Sequence, residues 1–294
     1  ELSDTRIPWI YGVALSMRSR LESEAADRKT VLQNAFTLMR DSRGSRRGYI
    51  GHAEYLDGLA DVKAELAALE KDSEKEVELL EEAIAYKGRA LESYALMDVM
   101  PTGLDEWRYP ISASHYSEHA RLLLRLYSLR KEPIHLERAI PVLEKGIEVA
   151  QKTGLVSRAA ECYWQLGTIH DALGDPATAS ASFQQASQAY LETSQRIPQI
   201  KDLYSDYAGY MSAWSTIEQA KRSHNQKRYE EAGQSFDKAA QLLKSTVRWN
   251  RLSLNYSAWA QLEKAEGLSR KEDSEEAKDA FKQASDLFAE AKID

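Results

Sequence analysis

The sharpest chemical constellation in the chain is "HYSEH", residues 115–119. On a helix, residues four apart share a face, so His115 and His119 would stand side by side with Glu118 adjoining. Two imidazoles and a carboxylate in that order are the makings of a zinc site, with the glutamate as base for a metal-bound water. A catalytic zinc needs a third protein ligand, and spacing alone identifies none. The competing reading is a first-turn helix surface with two ordinary histidines. That reading is preferred, so no metal, no cofactor and no catalytic residue are expected.

The H-x-x-E-H order resembles the inverzincin metalloprotease motif, which would imply a zinc hydrolase. That remains a remote alternative, because the flanking sequence has a helical-repeat pattern. "RDSRGSRRG", residues 40–48, gathers Arg43, Arg46 and Arg47 with Arg40. Guanidinium groups at that density suit phosphate or an acidic partner, but the stretch lacks the lysine and glycine spacing of a phosphate-binding loop. A solvated loop between hairpins is the expectation, with the three arginines as an anion or partner loop otherwise. Cys162 lies in helical sequence and reads as a small core residue. Trp214 and Trp259 recur in register and read as packing residues. Trp164 follows Tyr163 by one position, so on a helix it points about 100 degrees away from it and is a candidate partner-binding contact. Trp107 and Tyr109 fall in a proline-containing loop and read either as buried plugs or as exposed contacts. Arg121 and Arg125, one turn apart, and Asn255 complete the candidate groove. The arginines suit a carboxylate, or else salt bridges to neighbouring glutamates.

Composition narrows the classes. The 294 residues are 43% hydrophobic and 29% charged, with 14 glycines and 7 prolines, which suits a folded helical chain. The net charge of −7 argues against general nucleic-acid binding. Charge is uneven, with +3 over residues 1–48 (nine Lys/Arg against six Asp/Glu) and therefore −10 over the rest. One cysteine permits no intrachain disulfide and suits a reducing, cytoplasmic setting. The longest apolar run, "IPWIYGVALSM" at 7–17, is too short to cross a bilayer and lacks the cleavage site of a signal peptide. The chain opens at Glu1 without methionine, as expected of a segment of a longer protein.

The elements that must position these residues are helices almost throughout, since no convincing period-two strand appears. About twelve helices read as six antiparallel hairpins: 8–22 with 24–41, 48–70 with 73–97, 113–130 with 133–152, 155–173 with 176–195, 199–224 with 227–245, and 250–270 with 273–292. The stretch 98–112, with two prolines and a glycine, interrupts them. It separates divergent hairpins at 1–97 from repeats at 113–294, which together are expected to form one continuous solenoid. Gly174-Asp175-Pro176 supplies a stop, a cap and a first-turn proline in three residues. Pro141 falls inside an apolar pattern and is expected to kink its helix or move its start.

The last two hairpins repeat each other at an offset of 45 residues. Ser212, Ala213 and Trp214 match Ser257, Ala258 and Trp259; Glu218 matches Glu263; Ala232, Phe236 and Ala239 match Ala277, Phe281 and Ala284. Small residues at helical spacing let a partner helix approach, and the ring between them fills the remaining gap. The rule recurs at Ala139, Leu143 and Gly146 and at Ala179, Phe183 and Ala186. The run from Ala160 to Tyr190 resembles a tetratricopeptide repeat: Tyr163, Leu166, Gly167 and His170 in its first helix, Gly174 at its turn, and Ala179, Phe183 and Ala186 in its second. Anchors spaced by 40, 53 and 45 residues depart from that family's regular period and require longer helices. Glu218 and Glu263 stand where the family often has a small residue.

The resemblance spans 113–292 in outline. It implies an all-α fold, a right-handed α-solenoid with a concave face lined by first helices, and protein–protein binding as the usual role. The expected function is a non-enzymatic scaffold for a protein or peptide partner, as the sensor or assembly region of a longer protein. A regulatory domain for a small peptide or metabolite is the alternative.

Overall fold

In a computed structural model, residues 3–42, 49–98, 109–271 and 274–292 are described. They include twelve α-helices: α1 (Ser3–Ser19), α2 (Ala25–Asp41), α3 (Tyr49–Leu69), α4 (Ser73–Asp98), α5 (Tyr109–Arg130), α6 (Ile134–Lys152), α7 (Val156–Ala172), α8 (Pro176–Arg196), α9 (Lys201–Asn225), α10 (Tyr229–Lys244), α11 (Leu252–Arg270) and α12 (Ser274–Ala291). No strand occurs among the described residues. The helices divide into two compact units, Glu1–Val149 and Ala150–Asp294, with the boundary of the chain division in the last turn of α6. The interruption expected at 98–112 falls partly outside the described residues, and α5 begins at Tyr109. Pro141 neither moves nor stops its helix, because α6 starts at Ile134 and runs on to Lys152. Leu136, Ala139 and Leu143 are fully buried on either side of it, and this packing outweighs the one missing backbone bond.

In the unit Glu1–Val149, Leu32 and Met39 of α2 meet Leu56, Leu59, Val62 and Leu66 of α3, with Trp9 of α1 packed against them. Charged staples sit at the rim of this core. Glu65 accepts from Arg20 at 2.9 Å and from Arg28 at 3.1 Å, and Lys29 reaches Glu70 at 2.6 Å.

The unit Ala150–Asp294 follows the repeat rule closely. Gly174 turns the chain from α7 to α8 at φ 77°, a conformation that disfavours side-chain-bearing residues. Asp175 then accepts from the Thr178 backbone N–H at 3.1 Å and caps α8. Within this hairpin the Phe183 ring lies against Gly167, where an added Cβ would stand only 2.7 Å from ring atoms. At the two following junctions the repeat phenylalanine of a second helix is covered by the indole of the next first helix. Trp214 lies 5.8 Å from Phe183 and Trp259 lies 6.1 Å from Phe236, centroid to centroid. The repeated tryptophan therefore ties its hairpin to the preceding one, which answers what the recurrence in register is for.

Candidate partner-binding site

The first helices of the unit Ala150–Asp294 carry rings that are not fully sealed. Trp164 of α7, Tyr204, Tyr207, Tyr210 and Trp214 of α9, and Tyr256 of α11 are half-buried, and Trp259 is 39% exposed. They touch in sequence across the hairpins. Trp164 meets Tyr207 and Tyr210 at 6.0 and 5.9 Å; Tyr210 meets Trp214 at 6.1 Å; Trp214 meets Tyr256 at 6.4 Å. Phe236 links Tyr256 to Trp259, and Trp259 ends the run edge-on to Phe288 at 5.7 Å. The result is an aromatic strip along one series of first helices, with large rigid rings of the kind that anchor interfaces.

One ring of the strip comes from a turn. Trp249, between α10 and α11, stacks on Tyr210 at 4.1 Å with planes 15° apart, and lies 5.2 Å from Tyr207. Its placement is enforced by Asp206, a buried carboxylate on α9. Asp206 accepts from the backbone N–H of Val247 at 2.6 Å and of Arg248 at 3.2 Å. A charged acceptor on two successive amides fixes the turn far more firmly than solvent would.

The two repeat glutamates are buried beneath the strip. Glu218 is fully buried, and burial raises its pKa against the opposing pull of Lys221. Lys221 stands 2.7 Å from Glu218 and 2.6 Å from Asp171 at the end of α7. Burial alone would lower the lysine, but the two carboxylates hold it above its ordinary value. Glu263 accepts from His224 Nδ1, 2.8 Å away at the end of α9. Where a small residue was expected, each carboxylate thus forms a polar tie to the hairpin before it. Burial pushes the Tyr256 hydroxyl up to about 12, so it remains neutral and available as a donor.

A groove of about 470 Å³ runs between α10 and α11, lined by Gly233, Asp237, Gln261, Lys264 and Gly267 among others. The corresponding furrow between α8 and α9, where Ser180 and Arg222 stand in the matching positions, holds about 360 Å³. Two glycines line the later junction, and a Cβ added at Gly233 would stand 3.2 Å from the Ala260 carbonyl oxygen.

The other sequence candidates fall as follows. Trp164 joins the strip. Asn255 is half-buried one position before Tyr256, at its edge. Arg125 is committed within the unit Glu1–Val149: it donates to Glu76 at 2.6 Å and to the Ala67 carbonyl at 3.2 Å, which binds α5 to the α3–α4 hairpin. Arg121 is exposed on the same helix. Arg43, Arg46 and Arg47 lie outside the described residues, as do Trp107 and the side chain of Tyr109. Cys162 is buried, as a core residue would be.

The HYSEH segment assembles differently from the motif it resembles. His115 Nε2 lies 3.1 Å from Asp57 of α3, and Glu118 lies 2.7 Å from Lys87 of α4. Ligand atoms of Asp57, His115 and Glu118 fall within 4.8 Å of one another, a set able to hold a cation; His119 is not one of the three. The Lys87 ammonium occupies that neighbourhood, 2.5 Å from Asp57 and almost wholly buried. Burial would raise the Asp57 pKa, but His115 and Lys87 hold it below the ordinary value. His119 is buried with both ring nitrogens unpartnered; burial, with Arg138 and Lys87 nearby, lowers its pKa to about 4. Sequence reasoning missed Asp57 and Lys87, since they come from other helices. It also missed Tyr207 and Tyr210, although "YSDYAGYMSAW" sets four rings at intervals of three, three and four along one helix.

Residues 160–192 match the model of the tetratricopeptide repeat family. Among solved structures, the chain is similar to BtubC from P. vanneervenii, with 13% identity, 91% of this chain and 92% of that chain covered, and a TM-score of 0.53. It is also similar to the apo form of RapI, with 13% identity, 99% and 100% covered, and a TM-score of 0.51. No curated protein matches the sequence. At these identities the likeness concerns the fold: the chain is a tetratricopeptide-like helical-repeat protein, a fold typical of protein-interaction scaffolds. Among the described residues, no helix is long and apolar enough to cross a membrane.

Proposed function

We propose that this chain is a non-enzymatic scaffold whose unit Ala150–Asp294 binds an extended segment of another protein along its first-helix aromatic strip. The observation that carries the reading is the strip itself: rings from α7, α9 and α11 in mutual contact yet incompletely covered, over helices tied through the buried carboxylates of Glu218 and Glu263. Partly exposed rings on a rigid base lose little entropy when they engage a partner. Trp164 and Trp259 serve as anchors for apolar or aromatic side chains, and Asn255 offers an amide to the partner's backbone. A cytoplasmic setting suits the lone buried Cys162.

Selection from a displayed random-peptide library tests the reading. The chain should enrich a family of peptides, and a Trp164→Ala/Trp259→Ala variant with an unchanged far-UV spectrum should bind them at least tenfold more weakly. Enriched peptides that bind this variant as well as the parent would refute it.

A further inference from the structure

Midway along the aromatic strip, three rings form a corner. Tyr210 stands edge-on to Trp214 with planes 88° apart, and Tyr256 of α11 meets the same indole at 76°. The base of this corner is acidic. Lys221 donates to Asp171 Oδ1 at 2.6 Å and to Glu218 Oε1 at 2.7 Å, so one ammonium serves two carboxylates. The other Glu218 oxygen, Oε2, is buried with no donor among the described residues. Its repeat counterpart Glu263 is not left in this state, because His224 Nδ1 lies 2.8 and 3.1 Å from its two oxygens. Tyr256 senses the same surroundings. Burial, then Tyr210, Glu218 and Asp171 nearby, push its hydroxyl up to about 12. Such influence falls with distance, so the rings and both carboxylates stand around one space.

This space selects a cation. A buried carboxylate oxygen without a donor keeps negative potential at its base. The faces of the rings attract positive charge. The protein itself uses that attraction, with Lys221 Nζ 5.9 Å from the centroid of the Trp214 ring. Asp171 is the carboxylate within reach from outside: its side chain is 36% exposed, and Lys221 bonds only its Oδ1.

Resting on the partner-binding reading above, we infer that the bound segment places an arginine side chain in this corner, its guanidinium against the rings and donating to Asp171. Arginine suits the corner better than lysine. Its guanidinium is planar, weakly hydrated and forked, so it stacks on rings and bonds a carboxylate at once. With Lys221 in place beneath, two positive charges then balance two carboxylates. An acidic side chain in the same position would meet both carboxylates and a single ammonium that they already share.

The test uses the whole chain and peptides selected from a displayed random library. The enriched family should carry a fixed arginine, and its binding should weaken as salt rises. In a synthetic peptide of the family, replacing that arginine by citrulline, which keeps the shape and removes the charge, should weaken binding about tenfold. Asp171→Asn should weaken the arginine peptide by about as much and leave the citrulline peptide nearly unaffected, as a double-mutant cycle requires of two groups in contact. Peptides that need Trp164 and Trp259 but carry no arginine, being proline-rich or acidic instead, would overturn the inference and leave the strip as the binding surface. Equal losses for both peptides on Asp171→Asn would overturn it in the same way, with the arginine bound elsewhere. No enrichment, or enriched peptides indifferent to Trp164→Ala/Trp259→Ala, would overturn the partner-binding reading as well.

Discussion

Lys87 places a buried ammonium among residues whose types could also ligate a metal. Asp57, His115 and Glu118 have the donor chemistry of a cation site, and the cation beside them is the ammonium of a neighbouring helix. Removing one partner of a buried ion pair strands the other, so Lys87→Met should cost about 3 kcal/mol of stability in urea denaturation. His119 sets a pH dependence with a definite sign. Its folded pKa, about 4, lies below its unfolded value near 6.5, so between those limits the unfolded chain binds the extra proton. Stability should therefore fall as pH drops from 6.5 to 4, by about 3 kcal/mol from this residue. His119→Leu should flatten that window. Asp57 acts lower down: its depressed pKa contributes stability that is present above pH 4 and lost as pH falls through the folded value. At Gly167, an added methyl would meet the Phe183 ring, so Gly167→Ala should destabilise by about 1–3 kcal/mol in the same assay. The close fit of Gly167 and Phe183 was legible, because both occupy repeat positions. The partners of His115 were not: Asp57 and Lys87 are 58 and 28 residues away, and only helix packing brings them there.

At the scale of elements, local signals translated well and tertiary ones did not. Gly174, Asp175 and Pro176 act within one turn, and the structure shows the left-handed glycine, the cap and the helix start that their chemistry requires. At Pro141 the local rule allowed a kink or a moved start, and the start does not move: α6 runs from Ile134 through the proline to Lys152. The recurring tryptophans announced a packing rule, but not that each indole reaches back to the phenylalanine of the hairpin before it. The turn carrying Trp249 had no legible signal, because its organising residue, Asp206, acts across 41 residues of sequence. Asp206→Ala should leave two amides without their acceptor and cost about 2 kcal/mol. It should also weaken the near-UV circular dichroism that the Trp249–Tyr210 stack contributes, while the far-UV spectrum stays intact.

For the whole molecule, the all-α hairpin repeat was readable because it is a matter of period: small residues and rings at fixed intervals specify how helix pairs stack, whatever the surface does. Much of the candidate site was not readable. A ring in register counts toward packing whether its outer edge is sealed or open, and only the structure distinguishes Phe183, buried, from Trp259, partly open. The same pattern that builds the array thus supplies the strip. The most direct test is hydrogen exchange of the chain with and without a library-selected peptide. The account predicts protection gained along α7, α9 and α11 in the unit Ala150–Asp294, where the rings lie. Protection confined to α8, α10 and α12, or to the unit Glu1–Val149, would contradict it.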